Sequence, residues 1–296
     1  MIISASRRTD IPAFYAKWFV NRIRAGFCLV PAPFNPGHVS RVSLNPGRDV
    51  EAVVFWTRNA TPLLDHLAEL DARGLRYYFL YTLLGYDRRL ETGAPALTTA
   101  IDRFRRLTER IGAERVIWRY DPIILSTLAD AAFHRRTFRR IAEALRGYTR
   151  RCVVSLLDVY PKVRKNLCGA DPAGFSLLDW DERAFGPLMR SLARTASSHG
   201  MQMLSCAESI DLSPYGIAPG KCIDDGLIFR LFGVRASSRK DPGQRSRCKC
   251  VVSRDIGVYD TCPYGCRYCY ATTSPERARA RYRRHDPWLP GLIPLS

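Results

Sequence analysis

Seven short runs rich in β-branched and aromatic residues, at 2–6, 52–57, 77–82, 116–120, 152–157, 202–206 and 256–260, predict strands, and stretches of helical spacing separate them. After the first run, Ile11, Phe14, Tyr15, Trp18, Phe19 and Ile23 trace one apolar face, with Pro12 suited to a first turn and Gly26 to a stop. The second run repeats the scheme: Thr61 can cap, Pro62 opens, Leu63, Leu64, Leu67 and Leu70 form the stripe, and Gly74 ends it. Further helices are expected near 97–111, 134–146 and 181–199, each closed by a glycine at 112, 147 or 200.

Strand–helix alternation with strands apolar on both faces predicts a parallel sheet under helical crossovers. A TIM-like (β/α) barrel or partial barrel is expected over 1–296 as a single domain, with an open doubly wound sheet as the alternative. Three stretches stand apart: a Pro/Gly-rich excursion at 28–50, an irregular cysteine-bearing segment at 206–254, and a C-terminal strand, cysteine loop and basic tail at 255–296. In such folds the site lies at the carboxyl ends of the strands, which directs attention to 6–10, 57–59, 119–122, 158–162, 206–209 and the cysteines after Asp260.

A chain that is 46% hydrophobic is not a disordered polymer. The longest uncharged run, 77–86, is far shorter than the roughly 20 apolar residues of a membrane span. The opening MIISASRR lacks the form of a signal peptide, so a cytoplasmic location is expected, where clustered cysteines bind metal or do redox chemistry rather than form disulfides. The net charge of +18 favours an anionic partner such as nucleic acid, yet all but six of the 46 basic residues are Arg, a skew that base composition alone produces. The arginine-rich stretch 275–287 reads either as a phosphate contact or as a solvated helix. The five histidines (His38, His66, His134, His199 and His285) have no ligand spacing and read as surface or helix residues, and no Walker loop, dinucleotide fingerprint or nucleophile elbow occurs.

The sharpest signal is DTCPYGCRYCYA, which spaces Cys262, Cys266 and Cys269 as C-x3-C-x2-C. Three thiolates on one loop can ligate three irons of a 4Fe-4S cluster and leave the fourth open, whereas structural zinc generally takes four ligands in paired short spacings. The segment resembles the motif of the radical S-adenosylmethionine (SAM) superfamily. That resemblance implies SAM chelated by the open iron, reductive cleavage to a hydrogen-abstracting 5′-deoxyadenosyl radical, and an electron donor such as a flavodoxin or ferredoxin. It also places Tyr268 at the aromatic position beside the adenine. In most members the motif follows the first strand; a permuted barrel, with 256–260 beside 2–6, reconciles its C-terminal place here. Ser6, Arg7, Arg8, Thr9 and Asp10 then hold the methionine part of SAM, unless Thr9 or Asp10 merely caps the next helix. Over nearly its whole length, notably ISASRRTDIPAFY, VFWTRN and VIWRYDPI, the chain resembles an uncharacterised bacterial family, domain of unknown function 1848.

Four other cysteines, Cys206, Cys222, Cys248 and Cys250, are expected to gather by fold-back into an auxiliary 4Fe-4S cluster, a zinc site, or no common site. Cys28, Cys152 and Cys168 read as structural. The substrate (small metabolite, peptide or nucleic acid) is expected among Trp56, Arg58, Arg119, Tyr120, Asp121, Tyr160, Lys162 and Glu208, with Tyr120 and Tyr160 as hydrogen-atom donors and Asp121 and Glu208 as acid or base groups. The competing expectation is a non-catalytic iron-sulfur or zinc protein that senses redox state or binds nucleic acid.

Overall fold

The computed structural model describes residues 1–33, 35–168 and 174–295, except the side chains of Pro36, Cys168 and Glu182. The Cys168 thiol therefore lies outside the described residues. Eight strands form one sheet, β1 (Ile2–Ala5), β4 (Ala52–Thr57), β5 (Tyr77–Thr82), β6 (Val116–Ile123), β7 (Arg151–Leu156), β8 (Gln202–Ser205), β9 (Ala218–Pro219) and β10 (Arg254–Asp255). Their spatial order is β10-β1-β4-β5-β6-β7-β8-β9, and every neighbouring pair is parallel. The two outer strands do not pair with each other among the described residues. The excursion after the first helices is an antiparallel hairpin, β2 (Phe27–Ala32) with β3 (Asn35–Ser43).

The period-2 alternation of the strands sorts side chains between two cores. Ile3, Phe55, Phe79, Trp118 and Val154 pack towards the helices, among them Leu97–Ile111, Ala131–Ala144 and Glu182–Ser198. Val54, Tyr78, Leu80, Ile117 and Val153 face the other way, onto Cys222, Ile223, Leu227, Ile228, Cys248 and Val251. The segment without clear periodicity thus covers the sheet's second face, using the helix Asp225–Phe232, which sequence reasoning missed.

The expected adjacency of the two chain ends is present: Ile3 and Ser4 of β1 pair in register with Arg254 and Asp255 of β10. The last strand itself is displaced from 256–260 to Arg254–Asp255. Beyond it the Asp255 carboxylate bends the chain by accepting from the Gly257 N–H at 2.9 Å. Arginines of 275–287 fall mostly on Pro275–Arg283, a largely exposed helix capped by Ser274. No helix among the described residues is long and apolar enough to cross a membrane.

Candidate functional site

Because all strands of the sheet are parallel, their carboxyl ends meet at one side, and there the loops enclose a cavity of about 380 Å3. Residues 6–10 after β1, Arg58 after β4, Arg119 and Asp121 of β6, and residues 155–158 of β7 and its loop line it. Both cysteine groups open into it: Cys262, Cys266 and Cys269 from one wall, and Cys206, Cys222, Cys248 and Cys250 from another.

The three-cysteine loop is anchored at both ends and along one flank. Asp260, at φ 54° in the left-handed region, donates its N–H to Ala271 O at 3.0 Å, and its carboxylate accepts from the Thr273 N–H. Gly93 donates to Tyr264 O at 2.8 Å, a close approach in which a Cβ on Gly93 would stand 2.7 Å from that oxygen. A bridge between Glu91 and Cys266 fastens the loop to the segment after β5. Burial pushes the Cys262 thiol well up and the Cys266 thiol up to about 12, the latter against the pull of the Arg58 cation.

Behind the loop lies a buried polar knot. The Tyr268 hydroxyl donates to Glu91 and accepts from Arg58, and Arg58 Nη2 stands 2.7 Å from Glu91 Oε1. Sequence reasoning placed Tyr268 and Arg58 in the site but overlooked Glu91, which stands in DRRLETGAP with no motif around it.

The 6–10 segment is set by Asp255, also overlooked. Its carboxylate accepts from Ser4 Oγ at 2.5 Å, Ser6 Oγ at 2.9 Å and the Arg7 N–H at 2.8 Å. Gly257 completes the fit, because a Cβ there would lie 1.9 Å from Ser6 Oγ. Arg8 is spent on the Gly257 carbonyl at 3.3 Å and on the Tyr259 ring. Arg7 reaches across the Trp56 ring towards the four-cysteine group, and its Nη2 has no partner among the described residues. The buried Thr9 hydroxyl likewise has none.

Asp10 does act as a helix cap, accepting from the Ala13 N–H at 3.0 Å, but its other oxygen accepts from the Arg58 N–H at 2.7 Å and the residue lines the cavity. Burial raises its carboxyl to about 7 against those hydrogen bonds. A folded-state value above the unfolded one of 3.8 means that the folded protein binds the extra proton. Asp10 therefore contributes stability below about pH 4 that is lost as pH rises through about 7, up to about 4 kcal/mol at 1.36 kcal/mol per unit. Asp10→Asn is expected to flatten this slope, read from urea midpoints at about pH 5 and about pH 8; an unchanged slope would assign the dependence to another group.

The other four thiols do converge. Cys222 Sγ donates to Cys206 Sγ at 3.2 Å, and Cys248 and Cys250 pack in the same cluster and line the same cavity; the neighbouring thiols lower Cys250, while they themselves are raised, Cys222 to about 12. They are unpaired thiols. No group of three or more His, Cys, Asp or Glu placed to hold a metal ion occurs among the described residues, so the four thiols share one place without a preformed metal cage.

The remaining candidates divide. Asp121 lines the cavity in an ion pair with Arg119, and Tyr160 stands at its exposed rim. Tyr120 does not reach it: the side chain is fully buried on the helix side, its hydroxyl 2.8 Å from His134 Nδ1. That contact also makes His134 a core residue. Lys162 sits 5.8 Å over the Tyr259 ring and is not part of the cavity wall. Glu208 opens into an adjoining cleft of about 520 Å3, where burial raises its carboxyl to about 7 although the Leu156 N–H donates to it at 3.0 Å. Cys28 and Cys152 are buried in the helix-side core, as structural residues are.

The donor chemistry suits an iron-sulfur cluster: three soft thiols on one loop that open into a cavity also lined by Arg7, Thr9 and Arg119, each with an orphaned buried polar atom.

A family model described as Domain of unknown function (DUF1848) matches residues 2–271. No curated protein matches. Among solved structures, a Bacteroides thetaiotaomicron VPI-5482 protein described as a candidate alpha-L-fucosidase is 10% identical over 79% of this chain and 81% of its own, with a TM-score of 0.29. A Pseudomonas aeruginosa PAO1 citronellol catabolism dehydrogenase (AtuB) is 12% identical over 86% and 92%, with a TM-score of 0.21. Similarity that low carries no argument about fold or activity.

Proposed function

The chain belongs to the family described as domain of unknown function 1848, and from that premise we propose that it is a radical SAM-type enzyme built on a permuted partial barrel. One observation carries the reading: an open three-cysteine loop and a separate four-cysteine group border the same cavity at the carboxyl ends of parallel strands. Cavity lining from the loops after β1 through β8 supports a sheet curled as in a barrel.

Cys262, Cys266 and Cys269 would hold three irons of a 4Fe-4S cluster and leave the fourth facing the cavity. When bound, the cluster and SAM supply reductive cleavage to methionine and a 5′-deoxyadenosyl radical that abstracts hydrogen from substrate. The chain's own residues do the positioning. Asp255 holds residues 6–8 in place, Thr9 offers an uncommitted hydroxyl, and Asp10 beside Cys262 offers a carboxylate to the SAM ammonium. Arg8, already bonded to Gly257, positions the loop rather than the SAM carboxylate. The Arg58–Glu91–Tyr268 knot fixes the Tyr268 ring at the cavity wall, where the family resemblance puts the adenine. Asp121 and, at the rim, Tyr160 are the polar groups nearest a substrate. A flavodoxin or ferredoxin would deliver the electron.

The test is anaerobic reconstitution with iron and sulfide, then dithionite reduction with SAM and an assay for 5′-deoxyadenosine. Its formation at more than one equivalent per chain is expected. Its absence from a protein that has taken up iron would sink the enzyme reading in favour of a non-catalytic iron-sulfur module, and zinc in place of iron would favour a metal-stapled one.

A further inference from the structure

We infer that Cys206, Cys222, Cys248 and Cys250 bind a second 4Fe-4S cluster, ligated wholly by the protein, bordering the same cavity as the C-terminal cysteine loop. The inference stands on the four-thiol group and does not require SAM cleavage.

The four residues come from three separate segments, and each is placed by backbone bonds that do not involve sulfur. The Cys206 N–H extends the sheet to Val154 O at 2.9 Å. Tyr78, on the inner face of β5, donates its hydroxyl to Cys222 O at 2.6 Å and accepts from the Asp224 N–H at 3.1 Å. The Asp241 N–H donates to Cys250 O at 3.0 Å, and the Val251 N–H to Ile223 O at 3.2 Å. The sulfurs are thus delivered to one place by the surrounding fold.

Their surroundings are prepared for an anionic, sulfur-rich group. The Ile223 N–H donates to Cys250 Sγ at 3.4 Å. Arg7 and Arg119 bring cations against Cys206, Cys222 and Cys250, and Arg7 Nη2 and Arg119 Nε are buried without partners among the described residues. Orphaned N–H groups at this depth are costly unless an acceptor arrives, and cluster sulfurs are such acceptors.

The test separates the two sites. The variant Cys262→Ala/Cys266→Ala/Cys269→Ala, reconstituted anaerobically without SAM, is expected to retain about four irons and four sulfides per chain, no zinc, and a paramagnetic signal that appears on reduction. Adding Cys222→Ser and Cys250→Ser should remove them. If the triple variant does not fold, the wild type with about eight irons against Cys222→Ser/Cys250→Ser with about four makes the same distinction. One zinc ion, no metal, or a Cys206–Cys222 disulfide under anaerobic conditions overturns the inference. Arg119→Met should move the midpoint of the retained cluster to more negative potential by removing a cation; an unmoved midpoint refutes the facing arginine. Iron retained without deoxyadenosine would defeat the enzymatic reading alone.

Discussion

Cys266→Ala is expected to reduce 5′-deoxyadenosine formation to background while the protein stays folded. In the proposed function the residue is the middle ligand of the loop, and two thiolates could not hold three irons of a site-differentiated cluster. Removing its Sγ leaves intact the backbone bridge to Glu91 and the Cys269 N–H bond to Cys266 O at 3.1 Å, so the loop keeps its course. The lost packing of one small half-buried side chain costs on the order of 1 kcal/mol, small against a typical stability of about 5–15 kcal/mol. Deoxyadenosine measured beside thermal melts of both proteins decides the matter: cleavage that survives the substitution removes the loop from the chemistry.

Glu91→Ala is expected to have the largest effect on stability. The side chains of Arg58 and Glu91 are 12% and 5% exposed, so removing the carboxylate leaves a guanidinium buried with only the Tyr268 hydroxyl and cavity water. Breaking a buried pair from one side costs about 3–5 kcal/mol, which for a chain of this length corresponds to a melting point lowered by on the order of 10 °C. Replacing both partners, Arg58→Met with Glu91→Leu, should recover much of that loss because no uncompensated charge remains. A Glu91→Ala melting point within a degree or two of wild type would mean that water already reaches Arg58.

The fold was legible where one physical signal dominated. Runs apolar on both faces marked β4 and β5 to the residue, and the punctuation of Leu97–Ile111 did the same for its helix. The last strand was misread because IGVY looks like a strand, whereas the Asp255 carboxylate and Gly257 turn the chain there and the pairing ends at residue 255. Strand alternation also held information left unused: Tyr120 shares the helix face with Trp118, and Arg119 and Asp121 share the cavity face with Ile117. The convergence of four cysteines over residues 206–250 was open from spacing alone, since only long-range pairing brings such segments together. Glu91 and Asp255 were invisible because an isolated acid reveals nothing of its burial until its cationic or hydroxyl partner is placed beside it.

The pairing of β1 with β10 has a consequence for how the protein is made. About 250 residues separate the two strands, and at a synthesis rate of roughly 5–20 residues per second the first waits on the order of 10–50 s for the second to leave the ribosome. During that interval one side of β1 offers unsatisfied backbone groups to any passing strand, and the carboxylate that arranges Ser6 and Arg7 does not yet exist. The cysteine loop emerges later still. A cluster on that loop, if the proposed function holds, would be inserted only after both strands have been made, and the waiting edge of β1 is a natural client for chaperones that shield sheet edges.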